Sequence, residues 1–117
     1  MIRVERARIA AEMYAARRER DAAFAGIEDG FGEPAWDMLL LLYVADAEGR
    51  AAPRAELIAG TNVEASIAER YITWMTSQAL AAEDDAGAVR LREPGRVKMD
   101  AYFDRLGTRR NDRKFIH

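Results

Sequence analysis

Along the first part of the chain, apolar residues recur as Ile2, Ile9, Met13, Ala16 and Ala23, with arginines and glutamates between them. Steps of 7, 4, 3 and 7 predict one apolar stripe on a long helix from Arg3 to about Phe24. Arg17-Arg18-Glu19-Arg20-Asp21 reads as its solvated, ion-paired side. Gly26, Gly30 and Gly32 then break the helix. Pro34 suits the first turn of the next one, because its φ is already helical and its missing N–H would have no partner there. From Ala35 to Ala47 the chain is apolar on every side, which predicts a helix at the centre of the core. Gly49 is a candidate left-handed cap. Arg50-Ala51-Ala52 leaves room for only a very short extended segment.

Pro53 opens a short helix, Arg54 to Ala59, and Gly60-Thr61-Asn62 forms a turn. A short helix, a glycine-containing turn and a longer helix make the helix-turn-helix pattern. Asn62 or Thr61 is expected to cap the helix that runs from about Glu64 to Ala79, with Ala68, Tyr71, Ile72, Met75 and Ala79 facing inward. Beyond Leu80, two short arms surround a turn at Asp85 to Gly87. Val89 and Leu91 alternate with Arg90 and Arg92, the pattern of a strand with one wet face. Pro94 begins a last helix, Gly95 to Leu106, and Thr108 to Lys114 is polar and expected to be loose.

The element order predicts a mainly α fold with a small β-hairpin wing: a winged helix-turn-helix flanked by N- and C-terminal dimerisation helices. Within a single domain, 1–117, residues 1–30 form the N-terminal dimerisation helix, 34–92 the winged-helix core, 94–106 the C-terminal helix and 107–117 a loose basic tail. A chain of 117 residues supports one hydrophobic core. The flanking stripes exceed what that core covers, so a homodimer is expected.

Composition removes several chemistries. With no cysteine there is no disulfide, thiolate nucleophile or cysteine zinc site, and the single histidine, His117, is the last residue. No cofactor and no metal site is expected. The N-terminus turns quickly into a charged periodic pattern unlike a signal peptide. The longest apolar run, Met38 to Ala45, is far shorter than the roughly 20 residues that cross a bilayer, so a cytoplasmic protein without a membrane partner is expected. Charge is unevenly spread. Residues 34 to 95 carry five basic and ten acidic side chains, a net of −5, whereas residues 96 to 117 carry seven basic and three acidic, a net of +4.

The stretch Phe31-Gly32-Glu33-Pro34-Ala35-Trp36-Asp37-Met38-Leu39-Leu40, with Tyr43 and Glu48-Gly49-Arg50 after it, resembles the small MarR-like winged-helix regulators of bacteria. Arg70-Tyr71-Ile72, Leu80 and Pro94-Gly95-Arg96 to Tyr102 keep the same order and spacing. The resemblance covers about residues 17 to 106. It implies a homodimeric DNA-binding transcriptional regulator, sometimes released by a small aromatic ligand. The chain departs from that group at the start of the reading helix, which has Glu64, Ala65, Ser66 and Ile67 followed by Glu69. It departs again in the wing, where Glu83-Asp84-Asp85 stands in place of a basic turn.

If Ala68, Tyr71, Ile72 and Met75 face the core, Ser66, Ile67, Arg70, Thr73, Trp74 and Ser77 face outward. Arg70 has the fork that reads guanine, and Ser66 and Thr73 reach phosphates or base edges. Arg54, Asn62, Ser66, Arg70, Thr73, Arg90 and Arg92 are therefore the candidate contacts to double-stranded DNA. Ile67 and Trp74, seven apart on one side, look more like a contact with a protein partner. Tyr14, Trp36 and Tyr43, with Tyr102, are candidates to line a pocket for a small aromatic effector. A protein-interaction module on the same fold, engaging a regulator or mimicking DNA, is the alternative function. An enzyme ranks third, because nothing resembles a nucleophile and base pair, a metal-ligand spacing or a phosphate loop.

Overall fold

Helix α1 runs over Arg3–Ala23, the long amphipathic helix that the spacing predicts. The computed structural model describes the backbone of residues 3–27 and 33–116 and the side chains of residues 4–27 and 33–107. Ile2, Gly30, Phe31, Gly32 and His117 lie outside the described residues. The other elements are α2 (Glu33–Ala47), β1 (Ala52–Pro53), α3 (Arg54–Ala59), α4 (Ala65–Ser77), β2 (Ala81–Glu83), β3 (Ala88–Leu91) and α5 (Glu93–Ile116). The fold is thus mainly helical with one small antiparallel sheet. No helix among the described residues is long and apolar enough to cross a membrane.

The chain divides into two compact units. One, Ile27–Met99, holds α2 to β3 and the start of α5. Its core is built on α2, which buries Ala35, Met38, Leu39, Leu42 and Ala45 and packs against α4, α3, β1 and β3. From α4 come Ala68, Ile72 and Met75, at steps of four and three, so a single stripe of that helix enters the core. Leu57, Leu80, Val89 and Met99 complete it, all fully buried. Each such side chain contributes about 1.5–3 kcal/mol relative to leaving it in water. The apolar character of α2 exceeds this core, for Val44 remains 53% exposed.

Local chemistry sets the ends of these elements. At the end of α2, Gly49 takes φ +72, and the Gly49 and Arg50 N–H groups donate to Asp46 O and Ala45 O, 3.0 Å each. These bonds satisfy carbonyls that the ended helix leaves open, in the left-handed cap expected of Gly49. The same bond pattern closes α4, with Ala79 N–H donating to Thr76 O (3.2 Å) and Leu80 N–H to Met75 O (3.0 Å). There the left-handed residue is Ala79, φ 60, so it lies beyond the helix and not on its inward face. In the sheet β3 is central, with β1 and β2 antiparallel on either side; Ala52 pairs with Val89, and Glu83 pairs with Val89 from the other edge. Asp84 builds the hairpin turn by accepting the Ala86 and Ala88 N–H groups on Oδ1 (2.9 and 3.0 Å), while Gly87 supplies φ +81.

The second unit comprises residues 1–26 and 100–117, that is α1 and α5 from Asp100 onward. Phe24 and Tyr102 are buried in it, and the Tyr102 and Phe103 rings meet edge to face with centroids 5.0 Å apart. On α1, Val4, Ile9, Met13 and Tyr14 are all exposed. The stretch expected to be loose beyond Gly107 is instead a continuation of α5 to Ile116. One glycine inside a helix costs only about 1 kcal/mol, and no proline follows it to force an end.

Candidate nucleic-acid interface

Three residues of α4 enter the core, and that orientation decides what the rest of the helix presents. Ser66, Ile67, Glu69, Arg70 and Thr73 are exposed, whereas Trp74 is half-buried. Tyr71, expected inside, is also half-buried: Ala68, Ile72 and Met75 already fill the stripe, and Tyr71 sits at its margin. The Arg70 side chain has no hydrogen bond or ion pair among the described residues.

Two depressions flank Arg70. The first, of ≈ 380 Å³, is lined by Arg54, Ser66, Glu69, Arg70 and Thr73. Four of the seven candidate DNA contacts thus converge, Arg54 from the start of α3 and the others from α4. The second, of ≈ 330 Å³, is lined by Ile67, Arg70, Tyr71 and Trp74. It brings together the two residues set apart as candidate protein contacts and adds Tyr71. One side of the helix is therefore polar and cationic, the other apolar, and they share one guanidinium.

Three candidate contacts lie elsewhere. Asn62 is exposed but caps nothing. The residue at the cap position of α4 is Glu64, with no side-chain bond to the helix amides, and Thr61 Oγ1 instead donates to Ile58 O (2.9 Å), closing the end of α3. Val63 and Glu64 intervene between Asn62 and the helix, so neither Asn62 nor Thr61 makes the cap expected of it. Arg90 and Arg92 are exposed, next to the buried Val89 and Leu91, and their side chains make no hydrogen bond or ion pair among the described residues.

Arg54 is placed in the first depression but is not free. Its Nε and Nη2 donate to Glu83 Oε2 and Oε1 of β2 at 2.8 and 2.7 Å, a two-point fork. These bonds hold the Glu83 carboxyl below its ordinary pKa and raise that of Arg54. Two other arginines of this unit are similarly engaged. Arg50 donates to Glu48 (2.9 Å) and Glu56 (3.1 Å), and Arg96 forks onto Asp46 at 2.8 and 2.9 Å. The Arg96 bonds lower the Asp46 pKa, more than partial burial raises it. Glu83 is the residue that sequence reasoning missed, since 29 positions separate it from Arg54 and it reads as part of an acidic turn.

The aromatic set does not gather in either depression. Tyr14 and Tyr102 belong to one unit and Trp36 and Tyr43 to the other. Tyr14 is exposed beneath the Arg18 guanidinium, 5.2 Å from the ring centroid, while Trp36 and Tyr43 are half-buried on α2. No family model matches this chain, and no curated protein is similar to it.

Proposed function

We propose that the protein is a winged-helix, double-stranded-DNA-binding transcriptional regulator acting as a homodimer, with α4 as the reading helix and the β2–β3 hairpin as the wing. One observation carries this reading: the unpaired Arg70 shares an open depression with Ser66, Thr73 and Arg54, on the longer helix that follows the Gly60 turn. A guanidinium fork flanked by two hydroxyls suits a guanine edge and its adjacent phosphates. Arg90 and Arg92 add two unpaired cations. The order α2-α3-α4-β2-β3 and the resemblance of the Trp36 segment to MarR-like regulators support the same assignment. The exposed apolar residues of α1 support dimerisation, which would place two α4 helices on one duplex. A small aromatic effector follows from the resemblance.

Binding of fluorescent duplexes drawn from the source genome, followed across a salt series, tests the assignment. Phosphate contacts by Arg70, Arg90 and Arg92 give a log–log salt slope of about −3, and about −5 for a dimer on two half-sites. Arg70→Ala is expected to cost about 1–3 kcal/mol on the best duplex and to relax its sequence preference. Absence of retention at low salt on every fragment would remove the proposal.

The apolar depression of Ile67, Tyr71 and Trp74 favours a second reading, in which this face binds another protein. Trp74→Ala in the same series separates the two. Under the DNA reading Arg70→Ala is the more damaging change; if neither changes DNA retention while Trp74→Ala abolishes capture of a defined regulator, the second reading holds.

A further inference from the structure

Arg54 is held to the hairpin twice. Its backbone N–H donates to Gly87 O at 3.1 Å, beside the Pro53–Ala88 pairing of β1 with β3, and its side chain forks onto Glu83 of β2. The backbone contacts alone attach the start of α3 to the wing, so the side-chain pair is not needed for that attachment. It is also partly open to water, with 34% of the Arg54 side chain and 24% of the Glu83 side chain exposed. Pairs in such a setting exchange partners at small cost, because solvent screens them. A carboxylate offers a guanidinium the same two-oxygen geometry as a phosphate.

We infer that Glu83 is a built-in competitor of phosphate: it occupies the guanidinium of Arg54 and withholds it from a polyanion entering the depression beside Arg70, Ser66 and Thr73. This rests on the proposed nucleic-acid role of that depression for its biological meaning, but the competition itself concerns any polyanion. Two consequences follow. Backbone affinity is reduced by one cationic contact, leaving selectivity to depend more on Arg70. Moreover, the fork ties the hairpin to α3, and breaking it releases β2 from the Arg54 side chain while Gly87 stays bound.

The experiment measures retention on immobilised heparin and affinity for random-sequence duplex DNA. It uses the unaltered protein, Glu83→Gln, and the same substitution in an Arg54→Ala background. Asp85→Asn on the same hairpin controls for loss of one negative charge. Glu83→Gln removes the charge while keeping the side-chain shape; Glu83→Ala serves as a second variant, and thermal unfolding verifies that each is folded. Competition predicts an affinity gain of about eightfold at about 0.1 M salt for Glu83→Gln, with a salt slope steeper by about 0.9, the value of one phosphate contact. In the Arg54→Ala background the gain is expected to shrink to that of Asp85→Asn. An equal gain with and without Arg54, or no gain on either matrix, overturns the inference. A gain on heparin that depends on Arg54, with no duplex binding by any variant, supports the competition and overturns the DNA reading.

Discussion

Replacing Gly95 by alanine probes the joint between the sheet and α5. Gly95 is buried in the first turn of that helix, and a Cβ there would run into the backbone oxygen of Leu80, with Leu80 C at 3.2 Å and Leu91 Cδ1 at 3.0 Å. The carbonyl cannot yield. Leu80 is fully buried, its N–H is bound to Met75 O, and its own oxygen accepts the Arg92 N–H at 2.9 Å. Relief therefore requires α5 to retreat, taking Arg96 and the buried Met99 with it. Overpacking of this kind costs about 1–3 kcal/mol, and weakening the Arg92 bond adds about 1 kcal/mol. Alanine recovers at most about 1 kcal/mol of helix propensity. The expected net loss is about 2 kcal/mol, a fall in thermal midpoint of roughly 6–10 °C for a chain of this size. Far-ultraviolet circular dichroism at fixed protein concentration measures it, concentration being held because a dimer's midpoint depends on it. Gly107→Ala is the comparison: it lies within α5 with nothing within 4 Å of an added Cβ, so alanine there should stabilise by about 1 kcal/mol. A Gly95→Ala protein that melts at or above the wild-type temperature would refute the close-packed joint.

Two further changes probe local energetics. Ala79 adopts φ 60 where glycine carries no side-chain penalty, so Ala79→Gly should stabilise by about 1 kcal/mol, read as a raised urea midpoint at unchanged slope; a lower midpoint would show that the Ala79 methyl packs usefully. Asp46 is held below its ordinary pKa chiefly by the Arg96 hydrogen bonds, so its contribution is present above the unfolded carboxylate pKa and lost as pH falls through the lower folded value. Both side chains are partly exposed, which limits this contribution to less than about 1 kcal/mol. Between about pH 5 and pH 2 the stability of Asp46→Asn should therefore fall less steeply than that of the wild type, and parallel curves would exclude the pair as a source of acid sensitivity.

Elements whose ends are set by local chemistry were legible in the sequence. Pro53 and the Gly60 turn bounded α3, Gly49 ended α2, and Asp85 to Gly87 formed the hairpin turn. Errors arose where a local signal met a competing local or tertiary partner. Thr61 was a plausible cap for α4 until its hydroxyl turned back to Ile58, and Tyr71 continued the apolar stripe although three smaller or more flexible residues had filled the space. Ala79 could not be recognised as a left-handed residue, because alanine carries no signal for that conformation. Gly107 looked like a helix end, but a lone glycine is too weak to stop a helix that nothing else interrupts.

The candidate site was legible as a set of cations but not as a balance of charge. A count of residues 34 to 95 returns −5, yet what a polyanion meets depends on which arginines are already engaged. Arg50 and Arg54 are held by Glu48, Glu56 and Glu83, leaving Arg70, Arg90 and Arg92 unpaired in that segment. Neutralising an arginine with an acid near in space costs little in stability, since such exposed pairs contribute about 0–1 kcal/mol, but it removes a phosphate contact and about 0.9 of salt slope. Under the proposed polyanion role, such acidic side chains change affinity by at least as much as they change stability. If the proposed DNA role holds, Glu69 and Glu83 lower non-specific affinity while leaving Arg70 available for base edges. In that role discrimination is concentrated at Arg70, which shares its depression with Ser66 and Thr73, and Arg90 and Arg92 contribute sequence-independent attraction.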